Sequence, residues 1–345
     1  MMKTVLKIIF VLTLSILPSF AEDTSLSTTK GEKSTASTQE STAFDIFYQG
    51  WQAQSDQNYS KAMSLYKTSA QQGCAVAKFH LGQMYEKGLG IQQDYKVAVD
   101  LYKKVAEEGY VKAQAVLAEM YHTGEGVKQD SKKAFYWYKK SAEQGDLQSQ
   151  LALAKMYEEA EGVKKSLVKS AQYYKMAVKQ GSAEARTSLS IMYITQEQMH
   201  KHYEKGKKLL RKSAREGEVK AQYYLSQLYL KGEVYKKNYE DGVYWLKRAA
   251  DKGYAKAQYE IGQIYIGDRN LDPTYEKSVS YLKKAAKQQY ASAQYDLGLM
   301  YYEGIGVEED KHQTYIYWNN ASSLGDKDAE HNLKILCKSF PEVCK

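Results

Sequence analysis

Small and apolar side chains recur along this chain on a 36-residue period, separated by polar stretches of regular length. Gly73, Gly109, Gly145, Gly181, Gly217, Gly253 and Gly325 mark the period, with Gln289 at the one skipped step. Four residues after each mark stands a small side chain (Ala77 through Ala329), eight after it an aliphatic one (Leu81 through Leu333), and twelve after it a tyrosine (Tyr85 through Tyr301). Offset eleven adds Met84, Met120, Met156, Met192 and Met300. Steps of four trace one face of a helix, so the pattern predicts a first helix after each mark with a broad apolar stripe.

Reading backward from each mark gives a second helix. Small residues stand eleven places before it (Ala62, Ala98, Ala134, Ser170, Gly206, Gly242, Ser278, Thr314), and large ones seven and eight before it, as at Trp137-Tyr138 and Tyr317-Trp318. Small side chains at that position let two helix backbones approach closely. The marking glycine fits the left-handed residue that ends the second helix. Between the helices, Gly88-Leu89-Gly90-Ile91, Gly124-Glu125-Gly126-Val127 and Gly304-Ile305-Gly306-Val307 predict one tight turn, followed by Asp94, Asp130 and Asp310 as N-caps. Ala160 and Gln196 replace the first turn glycine in the middle units, and Gln198, Val234 and Asn270 the second, so those turns are expected to bend the chain differently.

One such helix pair cannot bury both of its stripes, and stacking does it without long-range chain crossings. The expected organisation is all-α: a capping helix pair over 44–72, seven repeats over 73–324, and a C-terminal capping helix and tail over 325–345. Lys3 and Lys7, the apolar run 8–17 and small residues before Ala21 read as a cleaved secretory signal over 1–21, too short to span a bilayer. A Ser/Thr/Lys/Glu-rich leader over 22–43 is expected to stay flexible. The expected location is periplasmic or secreted, with no membrane span.

Composition narrows the chemistry. Net charge is +8 over the chain, and removing the two signal lysines leaves about +6, too mild to argue for nucleic acid. A denser basic stretch, Lys201, Lys205, Lys207, Lys208, Arg211, Lys212 and Arg215, is read first as a solvated helix face, with contact to an acidic polymer or anionic lipid as the alternative. Of the three cysteines, Cys337 and Cys344 are the expected disulfide, seven apart around Pro341, against the alternative of three unpaired thiols including Cys74. His200 and His202 lack companion ligands, no catalytic grouping is discernible, and Glu158, Glu159 and Glu161 read as a solvated loop. No metal, cofactor or catalytic residue is expected.

The string A-x-A-x-x-x-L-G-x-x-Y-x-x-G-x-G-V is matched throughout by Ala291, Ala293, Leu297, Gly298, Tyr301, Gly304, Gly306 and Val307, with Asp310 following. It resembles the Sel1-like repeat, a relative of the tetratricopeptide repeat, over residues 44–336. The resemblance implies a right-handed α-solenoid of stacked αα-hairpins and a non-enzymatic scaffold for a protein or peptide partner, as an envelope adaptor or host-contact protein. Some cysteine-rich members are linked to β-lactam binding or hydrolysis, which keeps a β-lactam- or peptidoglycan-active enzyme as the alternative. This chain lacks their cysteine pair in each repeat.

On the first helix, offsets six and thirteen point away from the buried stripe and should be exposed or face a groove. In the C-terminal repeats they are Tyr223 with Leu230, Tyr259 with Ile266, and Tyr295 with Tyr302. By the resemblance these six line a concave groove for the partner. The competing reading is that tyrosine at offset six packs on an adjacent helix. Tyrosine occurs 32 times, more than the core columns absorb.

Overall fold

The computed structural model describes residues 36–267 and 275–344. The predicted signal, the leader up to residue 35, and Asn270 and Pro273 lie outside the described residues. Among the described residues there are seventeen α-helices, one 3₁₀ helix and no strand. They fall into two units, one ending at Gln180 and one beginning at Gly181.

The first unit runs α1 (Ala36–Ser55), α2 (Tyr59–Gln71), α3 (Ala75–Lys87), α4 (Tyr95–Glu107), α5 (Val111–Thr123), α6 (Ser131–Glu143), α7 (Leu147–Glu159) and α8 (Leu167–Lys179). The second runs α9 (Ala183–Thr195), the 3₁₀ helix Glu197–His202, α10 (Tyr203–Arg215), α11 (Val219–Lys231), α12 (Tyr239–Asp251), α13 (Ala255–Gly267), α14 (Tyr275–Ala286), α15 (Ala291–Glu303), α16 (Lys311–Ser323) and α17 (Lys327–Ser339). Within each unit every helix packs on the one before it and the one after it, which is the αα-hairpin stack of a solenoid. Helix α1 begins at Ala36, inside the stretch read as leader.

Most of these helices have 13 residues, too few to be stable alone in water, so side-chain burial between neighbours holds them. The small-residue column does this work: Ala62, Ala98, Ala134, Ser170, Ser278 and Thr314 are fully buried. On the facing helix, Gly298 lies so close to Trp318 that any Cβ there would overlap the indole.

The marking residues end the second helices as expected. All seven glycines have positive φ, and Gln289 shares it at +60°. Around Gly109, Tyr110 N–H donates to Val105 C=O and Gly109 N–H to Ala106 C=O, the paired bonds of a Schellman stop. The turns into the second helices also follow the reading. Asp94, Asp130 and Asp310 each accept backbone N–H groups at the start of the following helix. At Gly90 a Cβ would come within 2.5 Å of Tyr59 Cβ, so the second turn glycine is required by close approach of the preceding repeat's helix.

Of the irregular turns, that at Ala160 keeps the regular conformation. Ala160 takes the left-handed cap at φ +65° and Gly162 follows at +64°. The turn after α9 is different: Gln196 is extended at φ −96°, and the 3₁₀ helix Glu197–His202 replaces the glycine turn.

Sequence reading missed one polar column. Gln114, Gln150, Gln222, Gln258 and Gln294, five residues after the marks, are buried, and each donates Nε2–H to a last-turn carbonyl of the preceding helix at 3.0–3.3 Å. Each of those carbonyls also accepts the N–H of the marking residue in the helix stop, so the glutamine supplies a second donor to the oxygen and ties the start of the first helix to the end of the helix before it.

Candidate partner-binding face

The first helices of the C-terminal repeats, α11, α13, α15 and α17, are laced together by tyrosines and carboxylates. Tyr223 Oη donates to Glu260 Oε1 at 2.7 Å, and Gln227 Nε2 donates to the other oxygen of the same carboxylate at 2.6 Å. One repeat on, Tyr259 and Gln263 both donate to Asp296. At the next step Asn332 Nδ2 donates to Tyr295 Oη at 3.2 Å. The tyrosine at offset six therefore bonds to the residue at offset seven of the following repeat, three times running.

The expectation of exposure is corrected by this geometry. Tyr223 is only 6% exposed, and Leu230, Tyr259, Ile266 and Tyr295 are half-buried. The reason is the neighbouring helices: the next first helix receives the tyrosines, and the second helix that follows each of these first helices covers the rest. Leu230 fills the space over Gly242, Ile266 joins the Leu282 and Leu297 cluster, and Tyr295 stacks on Trp318. Tyr302 is exposed at 36%, with its ring stacked on Trp318 and Lys311 Nζ 3.6 Å from its centroid. Two further side chains of these helices, Tyr224 and Ile335, are exposed at 39% and 51%.

Burial sets the electrostatics. It raises the Tyr223 hydroxyl well above the usual phenol range, reinforced by the bond to Glu260. It pushes Tyr259 up to about 12, with the Asp296 charge adding to the effect. Asp296 is also raised, by desolvation, against the lowering effect of the two hydrogen bonds it accepts. These tyrosines are therefore neutral donors at physiological pH, and the face carries half-buried aromatic area with polar tips.

Elsewhere the structure adds detail to the sequence reading. Glu161 accepts from Ser131 Oγ at 2.9 Å and lies 3.0 Å from His122 Nδ1, while Glu158 accepts from Tyr174, so two of the three acids read as a solvated loop are tied to neighbouring helices. His202 packs on Tyr193 and His200 on Tyr203. Among the described residues no three His, Cys, Asp or Glu side chains are grouped to hold a metal ion, and no helix is long and apolar enough to cross a membrane. The Sγ atoms of Cys337 and Cys344 are bonded, tying the last turn of α17 to the tail, and Cys74 is a free thiol.

The Sel1 repeat pattern matches eight consecutive segments of the chain: 43–74, 75–110, 111–146, 147–182, 183–218, 219–254, 255–290 and 291–326. The first of them takes in the α1–α2 pair. A Sel1 repeat protein from Oxalobacter formigenes is similar over 87% of this chain and 90% of its own, with 28% identity and a TM-score of 0.75. A protective antigen of uropathogenic Escherichia coli strains, displaying an SLR fold, is 27% identical over 89% of this chain and 68% of its own, with a TM-score of 0.63. Yeast Tom70, at 12% identity over 93% of this chain and 69% of its own and a TM-score of 0.52, shares the fold alone. No curated protein matches.

Proposed function

The chain belongs to the Sel1 repeat family, whose members are generally non-enzymatic scaffolds for protein interactions, and from that premise we propose that it is an exported scaffold holding a protein or peptide partner on the face formed by α11, α13, α15 and α17. The observation that carries the reading is the tyrosine–carboxylate lacing of that face. It rigidifies four first helices into one surface, and rigid aromatic area with polar tips binds partners at low entropic cost. Tyr302, Tyr224 and Ile335 are the exposed contacts; Tyr223, Leu230, Tyr259, Ile266 and Tyr295 form the supporting floor. In tetratricopeptide solenoids the corresponding helices line the concave side, which suits an extended or helical segment.

Export is supported by the signal-like pattern over 1–21 and by the Cys337–Cys344 bond, which persists in oxidising compartments. The likeness to an Escherichia coli protective antigen is consistent with a role at the cell envelope or in host contact. The binding face is tested by affinity capture from envelope extracts and host secretions using the chain and the variant Tyr224→Ala/Tyr302→Ala/Ile335→Ala. The variant should retain its helical circular dichroism and lose at least tenfold in captured partner. Undiminished capture would assign binding to another surface.

A further inference from the structure

The basic stretch on α10 has a structural counterpart that partner binding does not use. A cavity of about 450 Å³ opens between α10 and the turn 232–238, lined by Arg211, Tyr229, Tyr235, Lys236, Lys237 and Asn238. Its floor is built. Tyr235 is buried, its ring stacks on Tyr229 at 4.9 Å, and its hydroxyl donates to Lys207 C=O at 3.2 Å. The Arg211 guanidinium carbon lies 4.4 Å from the centroid of the Tyr235 ring, and no carboxylate among the described residues pairs with its N–H groups.

The other repeats show what is unusual here. Where this turn has Tyr235, four others have Ile91, Val127, Val163 and Val307, which carry neither a ring nor a hydroxyl. Where it has Asn238, three others have the acids Asp94, Asp130 and Asp310. The neutral cap removes a negative charge from the rim while keeping the helix start, since Asn238 Oδ1 still accepts from Asp241 N–H at 3.1 Å. Lys236 and Lys237 then add two cations with no carboxylate in ion-pair range among the described residues. Of the acids around the cavity, Glu204 pairs with Lys207 at 3.0 Å and Asp241 accepts from the Asn238 amide at 2.8 Å, while Glu233 in the same turn and Glu240 on α12 do not line it. On α10 itself, Lys207, Arg211 and Arg215 stand at i, i+4 and i+8, a like-charge row that weakens a helix unless an anion neutralises it.

We infer that this cavity is a binding site for a phosphate monoester, held by the Arg211 fork with Lys236 and Lys237. Three cations lining one cavity match a dianionic phosphoryl group better than a single carboxylate, and Arg211 offers the two parallel N–H donors that phosphate oxygens accept. The cavity has room for the phosphoryl group together with a small polar body. The same headgroup chemistry occurs in soluble phosphomonoesters and in phosphatidic acid.

Calorimetric titration of the full chain with sn-glycerol 3-phosphate at low ionic strength, and sedimentation with phosphatidic acid vesicles against phosphatidylcholine vesicles, test the assignment. Binding to either probe should weaken at least tenfold in Arg211→Gln and in Lys236→Gln/Lys237→Gln. It should change less than twofold in Lys208→Gln/Lys212→Gln, which removes the same net charge as the Lys236/Lys237 variant from α10 residues outside the cavity lining. Binding of the free ester points to a soluble ligand; binding of the vesicles alone points to a lipid headgroup. Absence of binding to both probes, or equal weakening in the control variant, would overturn the site.

Discussion

Replacing Gln289 by glycine should stabilise the second unit. Gln289 stands where seven repeats have glycine and holds φ at +60°, a left-handed conformation that costs a residue with a Cβ about 1–2 kcal/mol. The helix stop itself is kept: Tyr290 N–H donates to Ala285 C=O at 3.3 Å, the same bond made at Cys74, Tyr110, Asp146, Glu218, Tyr254 and Asp326, so glutamine and glycine differ there in their φ preference and not in the bonds of the stop. The Gln289 side chain is exposed and makes no hydrogen bond among the described residues, so its removal forfeits no contact. Glycine brings back about 0.4–1 kcal/mol of unfolded-chain entropy. The balance is a gain of about 0.5–1 kcal/mol. The reciprocal change, Gly253→Gln, should lose a similar amount, because a Cβ at Gly253 meets nothing within 4 Å and only the φ penalty acts. Urea unfolding followed by circular dichroism reads the shift in midpoint, and amide exchange in α14 and α15 localises it, since repeat arrays do not always unfold in one step. A Gln289→Gly protein of equal or lower stability would refute the claim that backbone conformation selects the glycine column.

Gly298→Ala should cost about 1–2 kcal/mol, because overpacking against the buried Trp318 outweighs the helix-propensity gain, whereas Gly262→Ala, facing movable Leu282 side-chain atoms at 3.1 Å, should change stability by less than about 1 kcal/mol; thermal unfolding of the pair checks the contrast. Asp296→Asn should gain stability relative to the parent as pH rises. A raised folded pKa gives a contribution that is complete below the unfolded carboxylate value of about 3.9 and lost as pH climbs through the folded value, and the asparagine has no such loss; urea midpoints between pH 3.5 and 7 would show parallel curves if Asp296 were not desolvated. Alkylation of the unfolded chain without reductant, read by mass spectrometry, should label Cys74 alone, with Cys337 and Cys344 labelled only after reduction.

The helix stops, turn caps and buried stripes were legible in the sequence because each answers a local demand. A left-handed φ calls for glycine at Gly109, an open helix start calls for Asp130, and a period of four calls for Leu117 and Tyr121 on one face. The ladder was legible as a column but not in its environment. Helical angles place Tyr223 and Tyr259 away from their own stripe, yet the carboxylates that receive them, Glu260 and Asp296, sit one repeat later on another helix. Likewise Gln222 and Gln258 look like solvent residues until the carbonyls of Ala214 and Ala250 are brought to them. Ala160 shows the reverse case, a residue change that alters the letter and not the turn, because the surrounding hydrogen bonds from Glu161 and Ser166 hold the left-handed cap in place.

In the proposed function the first helices of the C-terminal repeats carry the partner. Hydrogen–deuterium exchange of the full chain, alone and with its captured partner, tests this most directly. Exchange should slow in α11, α13, α15 and α17, with α12, α14 and α16 unchanged. Protection confined to those second helices, or to the first unit, would contradict it.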